Sequence, residues 1–237
     1  MRLLLYKVLK EDEGAQVCIP TPEKIRECQG LIRENYPALD GAWSVMDGLK
    51  LLIQKPDDKG IQNGYYNGWL HDHFVSCVNV IVPLGHIVAQ TLNNPGSWHD
   101  SICAVNGDLY NTLEEVYQRV GGKCVVDSAF SQKRCPFLIK SGKRKIGETA
   151  AQRTIRRQAT AMRQAVEWGM RAVQGSFPRL KDRFLFLDGS DDRRIFLHLV
   201  SLLLNYRTTH VGLNQLQSTF YPVFNFVGDN ALDIFNE

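Results

Sequence analysis

Apolar residues fall mainly into short β-type runs in the first half of this chain and into helix-spaced stripes in the second. Thr21-Pro22-Glu23-Lys24 has the chemistry of a helix start and predicts a helix to about Asn35: threonine caps, proline takes the first helical position, and an acid sits in the first turn. Ahead of it, Met1–Leu9 alternates poorly and reads as a strand or an arm. Trp43–Met46 reads as a strand ending at Asp47-Gly48, with Leu49–Ile53 continuing it. Asp-Gly between apolar runs is also a two-residue hairpin signal, so a turn competes with a strand end at Asp47. His73–Val82 and His86–Leu92 are β-branched runs on either side of Pro83-Leu84-Gly85 and predict a hairpin. Three strands, antiparallel, are expected before the first central helix.

Asn93-Asn94-Pro95-Gly96-Ser97 turns the chain into a helix over about residues 98–119. Ile102, Val105, Leu109, Leu113 and Val116 keep helical spacing, and Asn106-Gly107 interrupts it. Ser97 and Asp100 have the spacing of a capping box, which alone would account for Asp100. Gly121-Gly122 ends this segment. The run that follows, to Val126, reads as a buried strand with Asp127 at its end, and Phe137–Ile139 as a further short strand. Over residues 148–174, Ile155, Ala159, Met162, Val166, Met170 and Val173 make a narrow helical stripe. Arg156, Thr160, Arg163 and Glu167 line one flank of it. Glu167 has Arg163 and Arg171 four residues away, so an ion-paired surface glutamate accounts for it on helix pattern alone. Phe184–Leu187 is short and apolar, Asp188–Arg194 is a charged break, and Ile195–Tyr206 reads as an apolar helix that packs on the sheet.

Composition adds little until charge is mapped. The 237 residues are 44% hydrophobic and 22% charged, ordinary for a globular chain of one domain or a domain with an extra segment. The net charge is only +3, yet residues 133–171 hold eleven Lys and Arg against two acids, so that window is +9 and the remainder −6. A segregated basic face suits a polyanion as well as it suits a solvated helix. Six scattered cysteines without a Cys-x-x-Cys pair suggest a reducing compartment. The longest apolar run, Ile195–Leu204, is too short to span a bilayer, so no membrane partner is expected.

The candidate chemistry lies in the acids. Asp47, Asp127 and Glu167 come from well-separated segments, two from strand ends and one from a helix, and Asp100 opens the first central helix. Carboxylates brought to one sheet mouth are what a pair of Mg²⁺ or Mn²⁺ ions needs, since hard cations take oxygen ligands. Two such ions support phosphodiester cleavage by activating the attacking oxygen and stabilising the leaving one. The basic segment beside Glu167 offers Lys143, Arg144, Lys145, Arg156 and Arg163 to a phosphate backbone. A zinc site at His71-Asp72-His73 is disfavoured, because adjacent strand residues point in alternating directions.

Pro95-Gly96-Ser97-Trp98-His99-Asp100-Ser101 resembles the Pro-Gly-Ser-x-His-Asp-Ser block of Harbinger-type DDE transposases and their domesticated nuclease-like descendants. Asp47-Gly48 resembles that family's first catalytic block. Val126-Asp127-Ser128-Ala129-Phe130 is similar to its Gly-Asp-Ser-Gly-Tyr block, with Ala129 and Phe130 departing from it. Val166-Glu167-Trp168-Gly169-Met170 is similar to its Val-Glu-x-x-Phe-Gly helix. Leu204-Asn205-Tyr206-Arg207-Thr208 and Val211-Gly212-Leu213-Asn214-Gln215 resemble its closing segment. The resemblance, over about residues 43–220, implies an α/β fold: a ribonuclease H-like mixed five-stranded sheet flanked by helices, here residues 41–220; the residues themselves suggest a helical arm at 1–40 and an irregular tail at 221–237. It implies a metal-dependent DNA endonuclease or transposase in the nucleus, with Asp47, Asp127 and Glu167 catalytic, Asp100 an auxiliary metal ligand, and two Mg²⁺ or Mn²⁺ ions. It further implies DNA as partner, a separate Myb-like DNA-binding protein, and compatibility with a homo-oligomer. His99 is expected to hydrogen-bond at the helix start. The rival expectation is a catalytically silent, transposase-derived binding protein; a third is a ribonuclease H-like enzyme acting on RNA.

Overall fold

The computed structural model describes residues 1–130, 135–143, 146–184 and 190–212, apart from the side chains of residues 165, 168–174, 176 and 190. Strand β1, Ala42–Leu52, is the centre of the fold. It pairs antiparallel with β3 (Asp72–Ile81) from Val45↔Ile81 to Leu52↔Phe74, and parallel with β5 (Lys123–Val126) through Met46↔Val126. Asp47-Gly48 is therefore no hairpin: pairing with β3 runs unbroken through Asp47↔Asn79 and Gly48↔Val78. Gly48 is not among the described glycines with positive φ, whereas a two-residue type I′ turn needs positive φ at both centres. Tertiary pairing overrides the local turn signal here.

β3 returns through the Pro83-Leu84-Gly85 turn into β4, Ile87–Pro95, as the sequence predicts. β6, Leu138–Lys140, lies parallel to β5, which completes a curled mixed sheet in the order β4-β3-β1-β5-β6. A two-residue strand β2, Tyr66–Asn67, pairs with the start of β3, preceded by helix α3, Lys59–Tyr65. The fold is ribonuclease H-like.

Helices cover both faces. On one, α6 (Ala150–Ser176) and α7 (Ser190–Val211) bury Ala159, Met162, Val166, Leu197, Val200 and Leu204 against Val45, Leu51, Val75, Cys77 and Val125. On the other, α2 (Pro22–Asn35), α4 (Asp100–Asn106) and α5 (Leu109–Val120) pack Ile25, Cys103, Leu109 and Leu113 on Met46, Val78, Val80 and Val126. Thr21 caps α2 as expected, accepting from Lys24 N at 3.4 Å. Residues 1–40 also hold α1, Arg2–Glu11, a helix where the sequence suggested a strand or an arm; its Leu9 packs with Leu199 and Leu202 of α7.

The helix expected over 98–119 is two helices. Asp108 takes a left-handed φ of 57° and resets the helical phase, so Ile102 and Val105 face solvent and Cys103 and Ala104 face the core. Ser97 does not cap it: its hydroxyl donates to Gly64 O at 2.7 Å, and His99 stands at the cap without a side-chain bond. The hydrogen bonds of His99 at the helix start are made by its backbone carbonyl, which accepts from Ile102 and Cys103. In α6, Ile155 is half-exposed, and the stripe meets the sheet from Ala159 onward. Met170 and Val173 lie outside the described side chains, as residues 213–237 lie outside the described chain.

One buried amide joins the α7 face to the sheet edge. Asn205, fully buried, accepts from Ile87 N at 2.9 Å and donates to Ile87 O at 2.8 Å and Gln16 O at 3.0 Å. Truncation leaves the buried N–H and C=O of Ile87 unpaired, and each costs about 1–3 kcal/mol. Asn205→Ala is expected to lower unfolding free energy by about 3 kcal/mol in urea titration; a loss under about 1 kcal/mol would mean that solvent replaces these bonds.

Candidate active site

The acids are placed by strand geometry. Side chains alternate across a strand. With Val45 and Leu51 in the α6/α7 core, Asp47 points to the same face, beneath α6. Because Met46 pairs with Val126 in parallel register, Asp47 and Asp127 follow at neighbouring positions on adjacent strands. Asp127 lies one residue past the end of β5, where its Oδ1 accepts from Ala129 N at 2.7 Å. Its turn-closing role and its place at the sheet mouth therefore coexist. Gly121 ends α5 in a left-handed conformation, φ 66°, and Gly122 packs so closely on Trp43 and Val116 that a Cβ would collide. This pair sets where β5 begins, and so where Asp127 falls.

Glu167 comes from α6 over the same face. Arg163, one turn earlier, lies between the acids: its Nη1 is 3.9 Å from Asp47 Oδ2 and 3.8 Å from Glu167 Oε2. The side chain of Asp47 is only 13% exposed. Burial pushes its carboxyl up from an ordinary 3.8 to about 6; Arg163 and the Gly48 N–H pull it down, and the charges of Asp127 and Asp100 push it up. Asp47 Oδ1 accepts that Gly48 N–H at 3.0 Å.

Asp100 is brought near but not to the same face. A Cβ on Gly48 would strike the Asp100 carboxylate, so Asp100 sits over the side of β1 opposite to Asp47. There Lys50 Nζ reaches Asp100 Oδ1 at 3.4 Å, Ser76 Oγ at 2.9 Å and Trp98 O at 3.5 Å. Asp100 is thus a partner of Lys50 and acts on Asp47 through its charge.

The basic residues separate by role. Arg156 forks onto Glu148 at 2.8 and 3.1 Å and donates to Gly142 O at 3.2 Å, holding both residues to α6. Arg163 serves the acids. Lys143 is exposed, and so are Lys140, Arg153 and Arg157, which the sequence reading counted in the charged window without singling out. Arg144 and Lys145 lie outside the described residues. Sequence reasoning also passed over Lys50 and Asn79. Asn79 is the cross-strand neighbour of Asp47 on the same face, 4% exposed, and its Oδ1 has no hydrogen-bond partner among the described residues. The visible signal was an amide inside the apolar run Val78-Asn79-Val80.

Asp47, Asp127 and Glu167 offer carboxylate oxygens, hard donors that suit Mg²⁺ or Mn²⁺ better than zinc. Among the described residues no three His, Cys, Asp or Glu side chains converge closely enough to hold an ion as they stand. In this arrangement Arg163 supplies the positive charge. His71, Asp72 and His73 do not form a metal group either: Asp72 is held by Arg183 at 2.7 and 2.9 Å. A cleft of about 650 Å³, lined by Tyr6, Gln90, Thr91, Arg194 and His198, contains none of the acids. No helix among the described residues is long and apolar enough to cross a membrane.

The Asp47 carboxyl gives this site a pH signature. Its folded value, about 6, exceeds its ordinary value of 3.8, so the folded chain binds the proton more tightly. Its contribution to stability is therefore full below about pH 4 and is lost as pH rises through about 6. In chelator, Asp47→Asn is expected to be more stable than wild type by about 1–3 kcal/mol at pH 8 and equal to it at pH 4. Urea titrations across that range decide it, and a variant less stable at pH 8 would refute the burial penalty.

Residues 46–194 match a family model described as DDE superfamily endonuclease. No curated protein and no solved structure matches the chain.

Proposed function

Since the chain belongs to the DDE superfamily endonucleases, we propose that it is a divalent-metal-dependent nuclease that hydrolyses phosphodiester bonds of DNA at Asp47, Asp127 and Glu167. The observation that carries this reading is the neighbouring placement of Asp47 and Asp127 at the sheet mouth, with Glu167 and Arg163 above them, inside the matched region. The family normally uses divalent metals. These three acids would hold Mg²⁺ or Mn²⁺, in a pair of ions, and the metal would supply an activated oxygen nucleophile and charge for the leaving oxygen.

The chain's own residues do the rest. Asp127 is fixed by its turn bond to Ala129, so its carboxylate is oriented before substrate arrives. Asp47 is held by the Gly48 N–H beneath a helix that limits water access. Asp100 reaches this centre only through its charge, from the other side of β1, where it pairs with Lys50. Lys143, with the exposed Lys140, Arg153 and Arg157, offers positive charge to a phosphate backbone, while Arg156 holds Gly142, the neighbour of Lys143. The block Pro95–Ser101 supports a Harbinger-type member, and with it strand transfer by the freed 3′-hydroxyl, nuclear localisation and a separate Myb-like DNA-binding partner. Membership of an endonuclease family favours this reading over a silent binding module.

Nicking of supercoiled plasmid with Mg²⁺ and then Mn²⁺, wild type beside Asp127→Asn, tests the proposal. Wild type is expected to nick, and the variant to lose at least about a hundredfold in rate while its melting curve stays cooperative. Retained cutting by Asp127→Asn would remove this aspartate from the site. Absence of cutting by wild type with either ion and with duplex DNA in excess would count against a nuclease.

A further inference from the structure

Three features stand apart from the acids themselves: the cleft beside β4, the exposed apolar face of α1, and the guanidinium among the carboxylates. Nothing identifies an occupant for the first two, whereas the third has its partners in place. Arg163 stands 3.9 Å from Asp47 Oδ2 and 3.8 Å from Glu167 Oε2. Both separations exceed the roughly 2.7–2.9 Å of a charge-assisted hydrogen bond. The chain makes such bonds elsewhere. Arg156 grips Glu148 at 2.8 and 3.1 Å, and Arg183 grips Asp72 at 2.7 and 2.9 Å. Those guanidiniums are committed to a fork, while Arg163 neutralises its two acids through space. Like-charged carboxylates under one helix repel, and a cation between them offsets the repulsion without a rigid geometry. Little directed bonding to these acids would be lost if Arg163 turned away, and its side chain is 26% exposed, which leaves it a route to solvent.

We propose that Arg163 is a positioning residue that holds Asp47 and Glu167 toward one another as an internal counter-ion and is displaced when a divalent cation binds. This rests on the reading of Asp47, Asp127 and Glu167 as the metal site. A consequence is competition: the arginine keeps the acids gathered at the expense of metal affinity. Lysine at this position would retain the charge but not the planar reach to both carboxylates.

The test uses the full chain stripped of metal, with Arg163→Gln, Arg163→Lys, Asp47→Asn, Asp127→Asn and the Arg163→Gln/Asp47→Asn and Arg163→Gln/Asp127→Asn doubles. In chelator, Arg163→Gln is expected to lower Tm by about 2–4 °C, and by clearly less in the Asp47→Asn background, because the two side chains are coupled. Mn²⁺ binding, read by the electron paramagnetic resonance of free ion, is expected to tighten about tenfold in Arg163→Gln and to stay nearer wild type in Arg163→Lys. Binding is expected to disappear on Asp127→Asn in either background. Wild-type or weaker affinity in Arg163→Gln, with binding still dependent on Asp127, would overturn the counter-ion role and leave the metal site standing. Additive Tm losses would overturn the coupling to Asp47. No Mn²⁺ bound by wild type or Arg163→Gln would overturn this inference together with the metal-site reading.

Discussion

Everything in this fold that bears on chemistry depends on β1 being paired on both sides. A strand flanked by β3 and β5 has no free edge, so its side chains must go up or down into a packed core. Asp47 is the one acid in that strand. Its carboxyl is largely withdrawn from water yet lies at the point where β5 ends, and the carboxyl responds by rising to about 6. A buried ionisable group at a sheet mouth is expensive unless charge of the opposite sign is at hand. Arg163 supplies that charge.

The sheet also works as a partition. Asp47 lies on the α6 side, where Glu167 and Arg163 meet it, while Asp100 lies on the α4 side and closes on Lys50. Gly48 makes this possible, because any larger residue would occupy the space of the Asp100 carboxylate. The Asp-Gly pair is thus a statement about both faces: the aspartate serves one, and the missing side chain serves the other. The two acids still sense each other through β1, since Asp100 contributes to the upward push on Asp47.

Arginine is used in two ways within a short stretch of α6. Arg156 is spent on Glu148 and Gly142, which ties these two residues to the helix. Arg163, nearly two turns later, faces the acids at longer range. A charge map treats the two as equivalent members of a basic window. Their partners differ: Arg156 is bonded to Glu148 and Gly142, Arg163 lies near two carboxylates, and Lys143, Arg153 and Arg157 stay on the surface.

Much of the fold was written locally. Thr21-Pro22 starts α2, Pro83-Leu84-Gly85 turns the hairpin, and Gly121 ends α5, each by residue chemistry that acts within a few positions. The acids Asp47, Asp127 and Glu167 were legible as candidates from strand ends, helix phase and motif order. What the chain alone left open were the cases in which local signals compete. Asp47-Gly48 is a turn signal that long-range pairing with β3 overrules, and the 98–119 stripe loses its phase at Asp108 because a left-handed residue rotates the next helix. Which face an acid occupies, and which cation reaches it, depends on register between strands some thirty to eighty residues apart. That is why the pairing of Asp100 with Lys50, and the approach of Arg163 to two carboxylates, are not legible in the chain alone.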